Sequence, residues 1–322
     1  MSTAVDGGPA GTLATMAAPP DLPRRIVVSD SAVARSGGLD RVKSYVALTK
    51  PRIIELLLVT TVPAMVLAAG GWPGTWLVVA TLIGGTLSAA GANTLNSWAD
   101  RDIDEVMGRT SRRPLPRHRV EPRAALVFGA ALGVAGFVWL WMLVNLMAAL
   151  ISGAALLFYV FVYTLALKRT TTHNIVIGGA AGAAPTLVGW AAVTGGVALP
   201  AWILFAIVFY WTPPHFWALA VRYQGDYARA SIPMLPVVVG VQRTAQQILV
   251  YSGVMVLVSL MLVPAAGMGW VYLVAAIGLG AWFLIEAFRM SRHPERAMVL
   301  FRVSTIYLAA LFGAVWLDVV VR

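Results

Sequence analysis

Three residues in the stretch GANTLNSWADRDIDEVMGRTSRRPLP (residues 91–116) are spaced to do chemistry: Asn96, Asp100 and Asp104 recur at i, i+4 and i+8. On a helix that spacing stacks them on one face, one turn apart. Asp102 and Glu105 add carboxylates nearby. Carboxylates this close repel one another unless a cation sits among them. Mg²⁺ suits the case, because it takes oxygen ligands and is commonly shared between a few carboxylates and substrate phosphate oxygens. Asn96 can add a neutral carbonyl oxygen. Arg109, Arg112 and Arg113 follow, and their guanidinium groups can clamp a diphosphate bidentately. Acid, metal, diphosphate and arginine together make a site suited to ionising an allylic diphosphate. The plainer alternative is a solvated, mixed-charge loop at a membrane edge. It accounts for the arginines but not for Asn96 and Asp100 lying directly against an apolar segment, where polar groups are costly.

The elements that must position these residues are membrane spans. Of the 322 residues, 59% are hydrophobic and 12% charged, with a mean hydropathy of +0.78. A soluble chain is typically about a quarter charged. In lipid only helices or a closed barrel satisfy the backbone, and the apolar runs here are continuous rather than alternating, which argues against barrel strands. Nine segments are close to span length, at roughly 53–70, 75–97, 124–143, 147–167, 174–194, 200–220, 245–265, 269–289 and 298–320. Asn145 falls where 124–167 must reverse. The expected fold class is an all-α polytopic membrane protein with nine transmembrane helices. The absence of cysteine excludes disulfides, Cys-ligated zinc, iron–sulfur clusters and CxxCH haem attachment.

The loops test the span count. The chain up to Arg52 carries seven Lys and Arg, and the connection after the second span seven more. Lys168 and Arg169 follow the fourth span; Arg222, Arg229 and Arg243 follow the sixth. Arg289, Arg292, Arg296 and Arg302 cluster at the eighth connection. These 23 of the 24 basic residues fall on one side, leaving only Arg322 on the other. The positive-inside rule then sets the N-terminus and the acid-bearing loops in the cytoplasm, and the C-terminus outside. It also accounts for the net charge of +10 without a nucleic-acid partner. Residues 1–44, rich in Ala, Gly, Pro and Ser, are expected to be a disordered cytoplasmic tail, with a short docked arm as the alternative, and 45–322 the membrane domain. A four-span offset relates the acids after span two to Asp226 after span six, which suggests two four-helix units and a ninth helix around one cavity.

Asn96-Ser-Trp-Ala-Asp100-Arg-Asp-Ile-Asp104 resembles the first Asp-rich motif, NxxxDxxxD, of the UbiA superfamily of intramembrane prenyltransferases. Several further segments are similar to its heme O synthase (protoheme IX farnesyltransferase) branch. They are Leu48–Arg52, Met107–Thr110 running into Arg113–Pro116, Tyr163-Thr164 with Lys168–Thr170, and Asn174–Ala183. The most specific pair is Pro213-Pro214-His215-Phe216-Trp217 and Asp226–Pro236, reading DYARASIPMLP. The resemblance covers roughly residues 45–320. It implies a UbiA-type helical bundle with a lateral, lipid-open cavity, farnesyl diphosphate and haem b as substrates, and Mg²⁺ as cofactor. It also implies a plasma-membrane location and a downstream haem-modifying enzyme as partner.

By that resemblance Asn96, Asp100 and Asp104 bind Mg²⁺–diphosphate and act with Asp226 in catalysis. Arg109, Arg113, Lys50, Lys168, Arg169, Arg222, Tyr163 and His215 are then candidates for contact with diphosphate or haem. The superfamily's second motif pairs two aspartates four apart, whereas the matching positions here are Arg222 and Asp226. That departure weakens the case for a second metal site and for the rival reading, a prenyltransferase acting on a quinone or chlorophyll precursor. A transporter would instead line several spans with polar groups at mid-depth.

Other residues carry weaker signals. Pro213-Pro214 is expected to break span six and open backbone groups toward a cavity. His215 beside it is either a haem contact or a hydrogen-bonded packing residue. Gly178, Gly179 and Gly182 have the small-residue spacing of close helix contacts.

Overall fold

The computed structural model describes Ser2 and residues 38–322, without the side chains of residues 53 and 56–58; most of the expected tail lies outside the described residues. Within them the chain is helical. Helix α1 is Gly38–Thr49, α2 Pro51–Ala69, α3 Thr75–Ala99, α4 Arg101–Val106, α5 Pro122–Leu143 and α6 Leu146–Leu157. Then come α7 Asn174–Thr194, α8 Leu199–Arg222, α9 Gln224–Arg229, α10 Leu235–Ala266, α11 Trp270–Arg292 and α12 Ala297–Val321. Helix α1 begins ahead of residue 45, so the ordered domain starts earlier than composition suggests.

Each of the nine expected spans coincides with a helix. Among the described residues, eight are long and apolar enough to cross a membrane. The first, α2, carries Arg52 and Glu55 in its opening turns, ahead of an uncharged run from residue 56 to Ala69. Asn145 makes the expected reversal. Its Oδ1 accepts from Ala148 N at 2.9 Å, capping α6, while its Nδ2 donates to Ala191 O at 2.8 Å and ties the turn to α7.

Small residues let the spans approach closely. A Cβ on Gly91 of α3 would lie 2.7 Å from Gly133 N of α5, and one on Gly136 of α5 would lie 2.6 Å from Ser88 N. In lipid such backbone approach is a principal source of helix association. The largest core joins α8, α10, α11 and α12 around Phe283, Tyr307, Leu311 and Phe312. A smaller one joins α2, α3, α6 and α7 around Met65, Val78, Ala148 and Val188.

Two features depart from expectation. Pro213 and Pro214 do not break α8, which runs unbroken through them to Arg222. Buried among helices, a span tolerates lost backbone bonds that an exposed one would not. Helix α6 does not stay α: from Phe158 to Leu167 it continues as a π-helix, so Lys168 N bonds back to Tyr163 O at 2.8 Å. No feature of composition signals that change of pitch.

Candidate active site

The acids gather at the charged end of the bundle, but not on one uninterrupted helix. Helix α3 ends at Ala99, Asp100 is its C-cap at φ −90°, ψ 5°, and α4 carries Asp104. The i→i+4 spacing survives the break, because Asp100 N bonds to Asn96 O and Asp104 N to Asp100 O, each at 2.9 Å. The expected stack is therefore present, with a bend at its middle residue. Asn96, Asp100 and Asp104 are all buried, at 4, 1 and 3% exposure.

Burying two carboxylates needs compensation, and four segments supply it. Lys168, delivered by the π-helix, pairs with Asp100 Oδ2. The same oxygen accepts from Asn96 Nδ2 at 2.8 Å. Arg113 holds Asp104 through both carboxylate oxygens at 3.0 and 2.8 Å. Lys50 Nζ donates to Asn96 Oδ1 at 2.6 Å. Thr164, also on the π-helix, accepts from Asn96 Nδ2 at 3.1 Å. Burial, followed by the neighbouring charges of Arg113 and Lys168, pushes the Lys50 ammonium down to about 7.

A second tier surrounds this centre. Arg169 grips Asp102 bidentately at 2.6 and 2.7 Å and reaches Ala99 O at 3.0 Å, which holds Asp102 at about 2. Arg109 Nη2 donates to Tyr227 OH at 2.6 Å, and its guanidinium lies 5.1 and 5.6 Å from the ring centres of Tyr227 and Tyr223. Asp226 stands beside Gly108, 3.8 Å from where a Cβ on that residue would be, and pairs with Arg229. Arg222 lies over the Tyr223 ring at 5.7 Å. Tyr163 stacks on Tyr159 at 5.3 Å, and its ring fills the space where Gly178 lacks a Cβ. Gly179 likewise packs against Thr212, but nothing lies within 4 Å of the Gly182 position.

His215 is set apart from this cluster. It lies in the core between α8 and α12, 4.3 Å from both the Trp211 and Phe301 rings, with Nδ1 2.6 Å from Ser304 Oγ. The packing reading of His215 is the one these contacts fit. Sequence reasoning gave no role to Thr164, Tyr227 or Asn93, whose Nδ2 donates to Thr49 O at 3.0 Å and pins the approach to Lys50. Thr164 and Tyr227 sit within the quoted motifs, but the site contacts of all three depend on tertiary geometry.

Among the described residues no three His, Asp or Glu side chains gather as a metal-holding group. The donor set is instead one amide and two carboxylates. That fits Mg²⁺, which takes one or two carboxylates and completes its shell with water and phosphate oxygens. Asp100 Oδ1 strengthens the fit, being buried with no hydrogen-bond partner among the described residues. A buried acceptor left open calls for an explanation, and a cation at that oxygen is one.

The chain is similar to the protoheme IX farnesyltransferase of Parafrankia sp. (strain EAN1pec), 55% identical over 294 residues, covering 90% of this chain and 93% of that one. It is 54% identical to the protein of that name from Frankia alni, covering 87% and 99%. Among solved structures, digeranylgeranylglyceryl phosphate synthase superposes with a TM-score of 0.73 at 18% identity, covering 88% of this chain and all of that one. A UbiA homolog from Archaeoglobus fulgidus bound to GPP and Mg²⁺ superposes at 0.64 and 18% identity, covering 84% and 99%. These distant structures establish the fold. Residues 57–315 match the UbiA prenyltransferase family, and with 54–55% identity to these relatives across 87–90% of its length, the chain belongs to that family.

Proposed function

We propose that the protein is a heme O synthase, transferring the farnesyl group of farnesyl diphosphate to a vinyl side chain of haem b with addition of water, giving haem o and diphosphate. The observation that carries the chemistry is the buried line Asn96–Asp100–Asp104, ringed by Lys50, Lys168 and Arg113. The choice of acceptor is supported by the protoheme IX farnesyltransferases that match nearly the whole chain.

Asn96, Asp100 and Asp104 would hold the Mg²⁺, and the ion would neutralise negative charge building on the departing diphosphate. The residues of the chain do the rest. In the structure Lys168 and Arg113 are occupied by Asp100 and Asp104. Diphosphate oxygens offer these cations an alternative anion, so the ion pairs act as a preorganised receptor rather than as a fixed lock. As the allylic C1–O bond breaks, its electron pair leaves with the diphosphate, and Lys50, Lys168 and Arg113 stabilise that charge. The terminal vinyl carbon of haem b attacks farnesyl C1. The cation left beside the porphyrin ring takes up water and releases a proton, giving the hydroxyethylfarnesyl group. Water must be kept away until that last step, and a site built at the end of buried helices serves this.

The 23-to-1 distribution of basic residues supports placing the site at the cytoplasmic face of the plasma membrane.

The test is direct. Membranes containing the protein are incubated with haem b, farnesyl diphosphate and Mg²⁺, and the extracted porphyrins are weighed by mass spectrometry. A haem heavier by farnesyl plus water, lost on chelating Mg²⁺, is expected. Prenylation of an aromatic acceptor with no new haem species would overturn the acceptor, and no prenylation at all would overturn the reaction.

A further inference from the structure

Helix α1 precedes the first span and has two unlike faces. Ser44 and Leu48 are buried, and Leu48 packs with Leu115, Val120 and Ala125. Tyr45 on that side meets Phe128 of α5 edge-on at 5.0 Å. On the opposite side Leu39, Val42 and Val46 are 70, 59 and 51% exposed. Their spacing, i, i+3 and i+7, makes one stripe along the helix. Lys43, Ala47 and Asp40 are exposed along one side of it, and Arg41 is exposed on the far side of the helix. A continuous aliphatic stripe edged by charges marks an interaction surface.

What covers the stripe follows from its tether. Lys50 is the single residue between α1 and the spanning helix α2, so α1 is confined within a few ångströms of where the chain enters lipid. A helix with an apolar stripe and a basic flank in that place suits the boundary between headgroups and acyl chains. The same junction reaches the active site. Thr49 O accepts from Asn93 Nδ2 at 3.0 Å, and Lys50 takes a left-handed backbone, φ 55°, ψ 61°, as its side chain turns in to Asn96. Non-glycine residues rarely adopt that conformation, and it persists only where the surroundings enforce it.

We propose that α1 is an interfacial helix that seats Lys50. Leu39, Val42 and Val46 enter the acyl-chain boundary of the leaflet at the charged end of the bundle. Lys43, beside the stripe, meets headgroup phosphates of anionic lipid, and this seat holds the Lys50 ammonium against Asn96. The lipid contact stands on geometry alone; its consequence for the site rests on the reading of Lys50 as a diphosphate contact.

The chain has no cysteine, so a single introduced one is the only thiol available for labelling. Nitroxides placed singly at positions 39, 40, 42, 46 and 47 of the full chain, in vesicles of phosphatidylcholine and phosphatidylglycerol, are read by power saturation. Dissolved oxygen is the apolar reagent and a nickel chelate the aqueous one. Oxygen should dominate at 39, 42 and 46, and nickel at 40 and 47. Nickel access at all five would put α1 in water and overturn the proposal. Exclusion of both reagents from 39, 42 and 46 would overturn it in favour of a protein partner. The consequence for Lys50 is tested with Leu39→Gln, Val42→Gln and Val46→Gln combined, since Gln keeps the helix. Farnesyl diphosphate affinity, measured by equilibrium binding, should fall about tenfold, the scale of one charge-assisted hydrogen bond. Unchanged affinity would overturn the seating of Lys50. Binding needs no haem, so a wrong acceptor in the functional reading leaves both results intact.

Discussion

The two acid-bearing connections share a scaffold and differ in charge. After α3 comes the six-residue helix α4; after α8 comes the six-residue helix α9. In the first, the acid at the bend is 1% exposed, and the cations that answer Asp100 and Asp104 come from elsewhere: Lys168 from the end of the π-helix and Arg113 from the following loop. In the second, Asp226 is answered by Arg229 three residues on, on its own short helix and largely exposed. Four residues before Asp226 stands Arg222 rather than a second acid. One connection is thus a site assembled across the bundle; the other is a local ion pair beside two tyrosines. The link between them is Arg109, held by the rings of Tyr223 and Tyr227. A repeated scaffold therefore does not imply a repeated site. The first connection carries the metal-type donor set, and the second a basic and aromatic surround.

That contrast can be broken by mutation. Asp100→Asn keeps shape and removes the charge that Lys168 and a cation both use. Turnover, followed as haem product, should fall roughly 10²–10³-fold. Asp226→Asn should cost only about tenfold, the scale of one charged hydrogen bond. Equal losses at the two positions would mean that both connections serve the reaction as equivalent acids. A smaller effect sharpens the role of the bridge. Tyr227→Phe removes one hydrogen bond from Arg109 and leaves the ring beneath it. The KM for farnesyl diphosphate should rise about fivefold with little change in kcat. A fall in kcat alone would place Arg109 in the chemical step rather than in binding.

The span positions were legible because lipid imposes a long apolar run on every span, and the basic loops tested the count independently. The acid triplet was legible because a spacing of four is a helical turn, and the spacing outlasted the bend at Asp100. Other features were hidden by their nature. The π-helix at 158–167 changes how Thr164 and Lys168 face Asn96 and Asp100, yet Phe-Tyr-Val-Phe-Val-Tyr reads as an ordinary span. Pro213-Pro214 reads as a break, and burial among helices overrode it. Helix α1 was lost in a tail of similar composition, because its apolar stripe is only three residues long. His215 looked chemical by type, and its contacts with Trp211, Phe301 and Ser304 are those of a packed, hydrogen-bonded residue.

A stability readout reports on the charge of Lys50, which reaches the first connection through Asn96. Its ammonium is disfavoured by burial and by the like charges of Arg113 and Lys168, which bring it from 10.5 down to about 7. Between those values the unfolded chain binds a proton that the folded one releases, so stability must rise with pH across that window; below about 7 both states are protonated and the whole penalty is present. Lys50→Met has no such proton. Melting followed in detergent from pH 7 to 10 should therefore show wild type gaining on the variant, by at most about 1.4 kcal/mol per pH unit. Parallel curves would mean that the Lys50 ammonium is not disfavoured in the folded protein. Inorganic diphosphate sharpens the test. An anion bound beside Lys50 favours its charged form, so the wild-type gain should flatten when diphosphate is added, while the variant should show no such flattening. A slope indifferent to diphosphate would separate Lys50 from the anion site and leave Lys168 and Arg113 to hold it.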